Sequence, residues 1–206
     1  MKTIAVIDYG VGNIFSITKA LQKCNLHKII VTRDHHEILS SDYVILPGVG
    51  AYGSAMDLID KNNLKEVILQ FCDLGRPLLG ICLGMQILST YSSEFGQFSG
   101  LDIIHGAVDE IKNKNFKKPV IGWHENICSP LDTNHTFVQK YHHEYFYYVH
   151  SFEFKPSRSE NMLGFYSYYD QEITSIVNKD NIFGVQFHPE KSGKQGLSFL
   201  FDFLNL

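Results

Sequence analysis

The sequence predicts an α/β fold: a mostly parallel central sheet flanked by helices, with extra β-strands in the second half. In the first half, short strands that are apolar throughout alternate with stretches whose apolar residues recur at helical spacing. Strands of this kind are typical of a parallel sheet covered on both faces. In the second half the helical spacing fades and short β-like runs follow one another. No internal repeat and no linker rich in Pro, Gly or Ser divides the chain, so residues 1–206 are expected to form one domain.

The first half starts with a strand, Thr3 to Asp8, which Gly10 and Gly12 interrupt before helical spacing begins at Ile14 and runs to Cys24. A second helical stripe is predicted from Leu64 to Leu74, and another helix is expected to begin at Leu83. The further strands predicted in this half are Lys28 to Thr32, Asp42 to Leu46 and Pro77 to Ile81.

The second half is predicted to be mainly β-structure, closed by a helix-like tail from Gly196 to Leu206. The segment Tyr141 to Phe154 is dense in aromatic and histidine side chains, which is compatible with an interface or with a sheet core. The β-like runs lie around Val108 and at Tyr145 to His150, Phe165 to Tyr168, Ile173 to Val177 and Ile182 to Phe187.

The composition, with 44% hydrophobic and 19% charged residues, is that of a soluble globular protein. The net charge of -4 and the lack of a basic stripe argue against a nucleic-acid partner, and the Lys112 to Lys118 stretch is interpreted as a solvated turn. No apolar run approaches the ~20 residues that span a bilayer, and the N-terminus suits a strand better than a signal peptide. We therefore expect a cytoplasmic protein with no membrane partner.

The cysteine and histidine patterns predict no disulfide, no metal and no cofactor. None of the four cysteines forms a CxxC pair, and a reducing cytosol disfavours disulfides. No grid of cysteines and carboxylates with metal-ligand spacing surrounds the pairs His35-His36 and His142-His143, so we expect no metal there.

The most informative local motif is Gly80-Ile81-Cys82-Leu83-Gly84, where a predicted strand runs directly into a predicted helix. A nucleophile on such a turn projects above the sheet on strained backbone, and side chains two positions to either side would collide with neighbouring backbone. At the N-terminus of a helix Cys82 would favour the thiolate, which is the reactive form. The alternative is a buried cysteine packed beside two glycines.

A second motif, Phe187-His188-Pro189-Glu190, lies near the end of a predicted strand. A nucleophilic cysteine needs a base, and the base needs a group that orients it. In an extended segment His188 and Glu190 would project to the same side, because they are two positions apart. Taken alone, the motif favours a surface histidine beside a solvated glutamate.

A third motif, Pro47-Gly48-Val49-Gly50, follows another predicted strand. Acyl chemistry on an amide generates an oxyanion, which needs N–H donors. A glycine-rich loop at the carboxyl end of a strand can supply them near the nucleophile. The alternatives are an ordinary turn and a phosphate site, and the latter is disfavoured because no Lys-Ser/Thr pair follows the loop.

Together the segments PGVG, GICLGMQ and GVQFHPE, in that order, resemble the class I (triad) glutamine amidotransferases. The resemblance extends over the whole chain. The segments IDYGVGN, IGW at Ile121 to Trp123, and YVHSF at Tyr148 to Phe152 narrow it to the glutaminase subunits of imidazole glycerol phosphate synthases.

The resemblance implies that Cys82 attacks the side-chain amide of glutamine, that His188 transfers protons and that Glu190 orients His188. A γ-glutamyl thioester would form, ammonia would leave, and water would release glutamate. The other implied site residues are Val49 and Gly50 in the oxyanion hole, and Gly50, Gln86, Glu94 and the backbone of Ser151 and Phe152 around the glutamine.

The resemblance also implies a (β/α)₈-barrel cyclase partner in a heterodimer. The barrel would use the ammonia to make imidazole glycerol phosphate and aminoimidazole carboxamide ribonucleotide in histidine biosynthesis. The IDYGVGN loop follows the first strand and should open on the same sheet edge as Cys82 and PGVG. That edge, with Asn13 and Tyr147, is the expected docking surface.

Some positions depart from the family pattern: His124 stands where Asn is common, His105 stands where Pro is frequent, and Pro130 to Glu144 is rich in His and Tyr. They leave open that the same glutaminase feeds a relative of the barrel or a sugar-amidation system. A stand-alone cysteine hydrolase is a further alternative, disfavoured by the HPE motif and Gln86. The intact Cys82, His188 and Glu190 disfavour a catalytically silent subunit.

Overall fold

The computed structural model describes residues 2–24, 28–112, 118–130 and 135–206, so most of the predicted Lys112 to Lys118 turn lies outside the described residues. The helices are α1 (Ile14–Lys23), α2 (His35–Ser40), α3 (Tyr52–Lys61), α4 (Leu64–Asp73), α5 (Leu83–Gln86), α6 (Thr136–Gln139) and α7 (Gly193–Phe203). Short 3-10 helices occupy Ser159–Asn161 and Pro189–Lys191. The strands are β1 (Thr3–Ile7), β2 (Lys28–Thr32), β3 (Tyr43–Gly48), β4 (Leu78–Cys82), β5 (Tyr91–Ser92), β6 (Phe98–Ser99), β7 (Gly106–Glu110), β8 (Val120–Glu125), β9 (Ile127–Cys128), β10 (Tyr145–His150), β11 (Phe152–Pro156), β12 (Met162–Tyr168), β13 (Gln171–Lys179) and β14 (Ile182–Val185).

Within the described residues the main sheet has eight strands in the order β2-β1-β3-β4-β14-β13-β12-β9. The strands from β2 to β14 are parallel, and β13, β12 and β9 continue the sheet antiparallel. The predicted fold class, a mostly parallel sheet flanked by helices with extra strands in the second half, is confirmed.

Both faces of the parallel strands are covered, which explains why their sequences are apolar at every position. Along β1, Ile4 and Val6 pack into one core, and Ala5 and Ile7 pack into a second core on the opposite face. The first core includes residues of α1 and α7, and the second includes residues of α2, α3 and α4. The sheet therefore separates two hydrophobic layers.

The strands of the second half do more than extend the main sheet. Strands β8 and β10 form an antiparallel pair, and a four-stranded sheet has the order β11-β7-β5-β6. These smaller sheets are inserted between β4 and β14, which are parallel neighbours in the main sheet although about half the chain separates them. The aromatic segment at Tyr141 to Phe154 contributes mainly to the core, since Phe146, Tyr148 and Phe154 are fully buried.

Several local predictions were incomplete or wrong. Helix α5 is a single turn rather than a full helix, and the strand expected to reach Phe187 ends at Val185. Helix α2 was missed although Asp34 caps it by accepting a hydrogen bond from the Glu37 amide at 2.9 Å, a capping pattern visible in the sequence. Of the helices described, none has the length and apolar character to cross a bilayer.

Candidate active site

Cys82 lies where β4 meets α5, on strained backbone with φ 55° and ψ −110°. Non-glycine residues in such regions cost about 1–3 kcal/mol and occur where the surroundings hold them in place. A Cβ added to Gly80 would lie 2.6 Å from the carbonyl oxygen of Gly84, and one added to Gly84 would overlap the carbonyl oxygen of Leu46. The steric reason given for both glycines of the motif therefore holds in the structure.

The expected contribution of a helix N-terminus to Cys82 is small, because α5 has only four residues and few aligned peptide dipoles. The sulfur instead has a side-chain donor: Nε2 of Gln186 lies 3.6 Å from Sγ. Gln186 is fully buried and follows β14 directly.

His188 and Glu190 form a buried pair, with 2.8 Å between His188 Nδ1 and Glu190 Oε1. The segment is not extended as predicted, because Pro189–Lys191 is a 3-10 helix, yet this turn also brings the two side chains together. Nε2 of His188 makes no hydrogen bond within the described residues. Burial alone would lower the pKa of His188, but Cys82 and Glu190 outweigh it and raise the pKa to about 10.

Cys82 and His188 open onto a cavity of about 320 Å³, a size in the range of small-molecule sites. Phe95, Leu83, Val149 and His150 complete its lining. The predicted oxyanion and glutamine-site residues all line this one cavity: Val49, Gly50, Gln86, Glu94, Ser151 and Phe152.

The two polar side chains predicted to hold the substrate are already anchored by the protein. Nε2 of Gln86 donates to the carbonyl oxygen of Phe152 at 3.0 Å and to Oε1 of Gln186 at 2.9 Å. The Glu94 carboxylate accepts a hydrogen bond from the Tyr52 amide at 2.7 Å. Burial raises the pKa of Glu94, and the Tyr52 bond opposes that shift.

The PGVG loop continues from β3, whose last residue, Gly48, is in register with Cys82. A Cβ on Gly48 would lie 2.6 Å from the Tyr9 hydroxyl and 2.8 Å from the Gly84 amide nitrogen, so close packing requires glycine there. Gly50 has φ +101° and open space around it, so backbone conformation is what favours glycine at that position. Close packing thus constrains the loop at Gly48, whereas Gly50 has no neighbouring atoms within reach of an added Cβ.

Comparison with known proteins identifies the family. The model for "Glutamine amidotransferase class-I" matches residues 5–206. The chain belongs to the class I glutamine amidotransferase family. The amidotransferase chain is 44% identical to an imidazole glycerol phosphate synthase subunit HisH of Oceanobacillus iheyensis, over 96% of each chain. It is 39% identical to a subunit HisH 1 of Legionella pneumophila over the full length of both.

The fold of this amidotransferase also matches solved structures. A glutamine amidotransferase crystal structure has a TM-score of 0.72 at 15% identity, covering 98% of this chain and 99% of that one. PurLQS from Thermotoga maritima also has a TM-score of 0.72, at 20% identity, covering 100% and 99%. At these identities the likeness shows a shared fold.

The two residues predicted at the partner interface both lie close to the His188–Glu190 pair. Asn13 caps α1 by accepting a hydrogen bond from the Ser16 amide at 3.3 Å, and it lines a cleft of about 10 Å³ with His188 and Glu190. The Tyr147 carbonyl accepts a hydrogen bond from the His188 amide at 2.9 Å, and its ring packs edge-on against Trp123.

His150, a second histidine on the cavity wall, has both ring nitrogens engaged. Nδ1 lies 2.7 Å from the carbonyl oxygen of Phe152, and Nε2 lies 2.7 Å from the hydroxyl of Tyr166. Burial, with smaller contributions from His124 and His188, lowers its pKa to about 4 despite the bond to Phe152. A histidine held in this way is placed to fix the cavity wall.

Neither histidine that departs from the family pattern lines the cavity. His124 packs among the rings of Tyr148, Tyr166 and Tyr168, and burial lowers its pKa. His105 is exposed, with Nδ1 2.9 Å from a carboxylate oxygen of Asp102.

Sequence reasoning missed Phe95, Gln186 and Tyr166. Phe95 is 84% exposed and packs edge-on against Phe152, beside the cavity. Gln186 lies within the GVQFHPE segment, so its proximity in sequence to His188 and Glu190 was a usable signal. Tyr166 had no such signal, because only the tertiary fold brings it to His150.

Proposed function

We propose that this chain is the glutaminase subunit of an imidazole glycerol phosphate synthase, which hydrolyses glutamine to glutamate and ammonia. One observation supports this most strongly. Cys82, on strained backbone, and His188 both open onto one cavity, and all the predicted glutamine-site residues line that cavity. The names of the relatives support the choice of pathway. Residues 1–206 would act as one cytoplasmic catalytic domain.

In the proposed reaction the Cys82 thiolate attacks the side-chain carbonyl of glutamine and forms a tetrahedral intermediate. Protonated His188 gives its proton to the departing nitrogen, so ammonia leaves and a γ-glutamyl thioester remains. Neutral His188 then takes a proton from water, whose oxygen attacks the thioester and releases glutamate and the thiolate. Glu190 accepts from Nδ1 and thereby keeps Nε2 directed to this proton transfer.

The remaining cavity residues are assigned to binding. Backbone N–H groups at Val49 and Gly50 would donate to the oxyanion. The Glu94 carboxylate suits the substrate's α-ammonium group, because a buried carboxylate gains from a cationic partner. Oxygen Oε1 of Gln86 and the backbone of Gly50, Ser151 and Phe152 would contact the rest of the glutamine.

The ammonia would pass to a (β/α)₈-barrel cyclase bound at the edge that carries Asn13 and Tyr147. Both residues contact the surroundings of His188, so docking there can alter the catalytic pair. The open space at Gly50 permits a peptide rotation that exchanges an N–H for a carbonyl at the oxyanion position. A partner that binds the donor state better would raise activity by a population shift.

The test is steady-state glutamate release by the chain alone, then with the cyclase subunit, then with the subunit and its nucleotide ligand. We expect low activity that rises roughly 10²-fold or more on addition of both, the size of an oxyanion-donor effect. Full activity of the chain alone, indifferent to both additions, would contradict the proposal and favour a stand-alone hydrolase.

A further inference from the structure

Gln186 lies between the nucleophile and the substrate-binding wall without belonging to the proposed triad. Its side chain is fully buried, and its backbone amide donates to the Ser175 carbonyl at 2.8 Å, which fixes the main chain. Its side-chain amide faces Cys82 on one side and Gln86 on the other. A buried amide in this position has a definite orientation only if its neighbours impose one.

The hydrogen bonds around Gln186 impose that orientation. Gln86 Nε2 donates to Oε1 of Gln186, so Nε2 of Gln186 is left to face the Cys82 sulfur at 3.6 Å. If the Gln186 amide were rotated by half a turn, two NH₂ groups would face each other and the carbonyl oxygen would face the sulfur.

The orientation of Gln86 is itself fixed from the opposite wall. Its NH₂ group also donates to the Phe152 carbonyl, which accepts a second hydrogen bond from His150 Nδ1. The Tyr166 hydroxyl, at 2.7 Å from Nε2, acts as donor there and leaves the proton of His150 on Nδ1. The donors and acceptors are therefore mutually consistent from Tyr166 through to Cys82.

We propose that Gln186 is a positioning residue that donates an N–H to the Cys82 thiolate, and that Gln86 holds its amide in the donating orientation. An N–H donor stabilises a thiolate more than a neutral thiol, because hydrogen bonds to charged acceptors are the stronger ones. Gln186 thus maintains the reactive form of the nucleophile before glutamine arrives. The catalytic consequence rests on the proposed glutaminase function.

Other groups also act on Cys82, and the test must separate them from Gln186. The titratable groups near it are His188 after β14, Tyr9 after β1, and Glu94 and His150 on the cavity wall. None of these is altered by replacing Gln186 with Met, which has a similar length and no N–H to donate.

The experiment measures the pH profile of Cys82 alkylation by iodoacetamide, read by peptide mass spectrometry, in wild type and in Gln186→Met. We expect the midpoint for Cys82 to rise by about one pH unit in the variant, the size of one hydrogen bond to a charged group. Free glutathione, alkylated in parallel with each protein, serves as the control, and its midpoint should stay unchanged. Gln86→Met should move the Cys82 midpoint in the same direction by a smaller amount.

An unchanged Cys82 midpoint in a folded Gln186→Met protein would overturn the proposal. Gln186→Asn gives a second reading if the Met variant does not fold, since its amide is one methylene too short to reach the sulfur and should shift the midpoint likewise. In the complex with the cyclase subunit, kcat should fall about tenfold and KM should stay within about twofold.

Alkylation needs no glutamine turnover, so the two proposals fail separately. A midpoint shift in a protein that never releases glutamate would leave the Gln186 inference standing and reject the glutaminase. Normal glutamate release by wild type with no shift in the variant would reject the Gln186 inference alone.

Discussion

The two sides of the cavity are built by different physical means. The side that carries Cys82 comes from the parallel half of the chain and is shaped by missing side chains, at Gly48, Gly80 and Gly84. The opposite side, formed by β10 and β11 with Tyr166 behind them, is shaped by hydrogen bonds among buried polar groups. Where neighbouring backbone leaves no room for a side chain, almost any substitution of the glycine is destabilising. In the hydrogen-bonded wall, a single substitution removes only one interaction.

The two sides meet at His188, where the largest effect on activity outside Cys82 itself is expected. His188→Asn should lower glutamate release by roughly 10²–10⁴-fold, since it removes the group proposed to transfer protons. Glu190→Gln should be less severe, because the role proposed for Glu190 is only to orient His188 through the 2.8 Å contact. Steady-state rates of the complex measure both. Equal, small losses at both positions would mean that another group is the base.

The steric side is tested by Gly84→Ala, because the added methyl overlaps the Leu46 carbonyl oxygen. We expect a loss of about 3 kcal/mol or more in the free energy of unfolding, measured in urea. Gly50→Ala is the matched control: it meets no atoms and should cost only the ~1–2 kcal/mol of an unfavourable backbone conformation. Similar losses in the two variants would contradict the steric account.

The hydrogen-bonded side should make stability depend on pH. His150 has a folded-state pKa of about 4, mainly because of burial, while the unfolded chain titrates near 6.5. As the pH falls from about 6.5 to 4 the unfolded state takes up a proton that folded His150 refuses, so stability is lost in this window, by ~1 kcal/mol per pH unit. His150→Asn should flatten that slope, measured by urea titrations at several pH values. An unchanged slope would show that His150 does not titrate in this way.

The smallest effects on stability are expected for substitutions of two buried tyrosines, Tyr166 and Tyr9. Tyr166→Phe leaves Nε2 of His150 without its donor and should cost about 1–3 kcal/mol of folding free energy. Tyr9→Phe removes a hydroxyl that has no partner within the described residues, so it should be neutral or slightly stabilising. Thermal denaturation of both variants makes the comparison. A larger loss of stability in Tyr9→Phe than in Tyr166→Phe would contradict this expectation.

The contrast between steric packing and long-range hydrogen bonds also explains which features of the fold and the candidate site could be predicted from the sequence. The glycines that flank Cys82 and the apolar parallel strands act over a few residues, so their effects are visible in the local pattern. The hydrogen bonds from Tyr166 to His150 and from Gln86 to Gln186 join segments that lie far apart in the chain, and no local pattern encodes them. The bend after Phe187 was missed because the local sequence His-Pro-Glu is compatible with both an extended segment and a 3-10 turn.

The central claim, a γ-glutamyl thioester on Cys82, is tested most directly by trapping it with hydroxylamine in the complex with the cyclase subunit. A thioester transfers its glutamyl group to hydroxylamine, so wild type should form γ-glutamyl hydroxamate from glutamine, whereas Cys82→Ala and Cys82→Ser should form none. Both variants should fold as wild type does, by circular dichroism, and should support synthesis from added ammonium salts. Hydroxamate formation by Cys82→Ala at the wild-type rate would contradict the account.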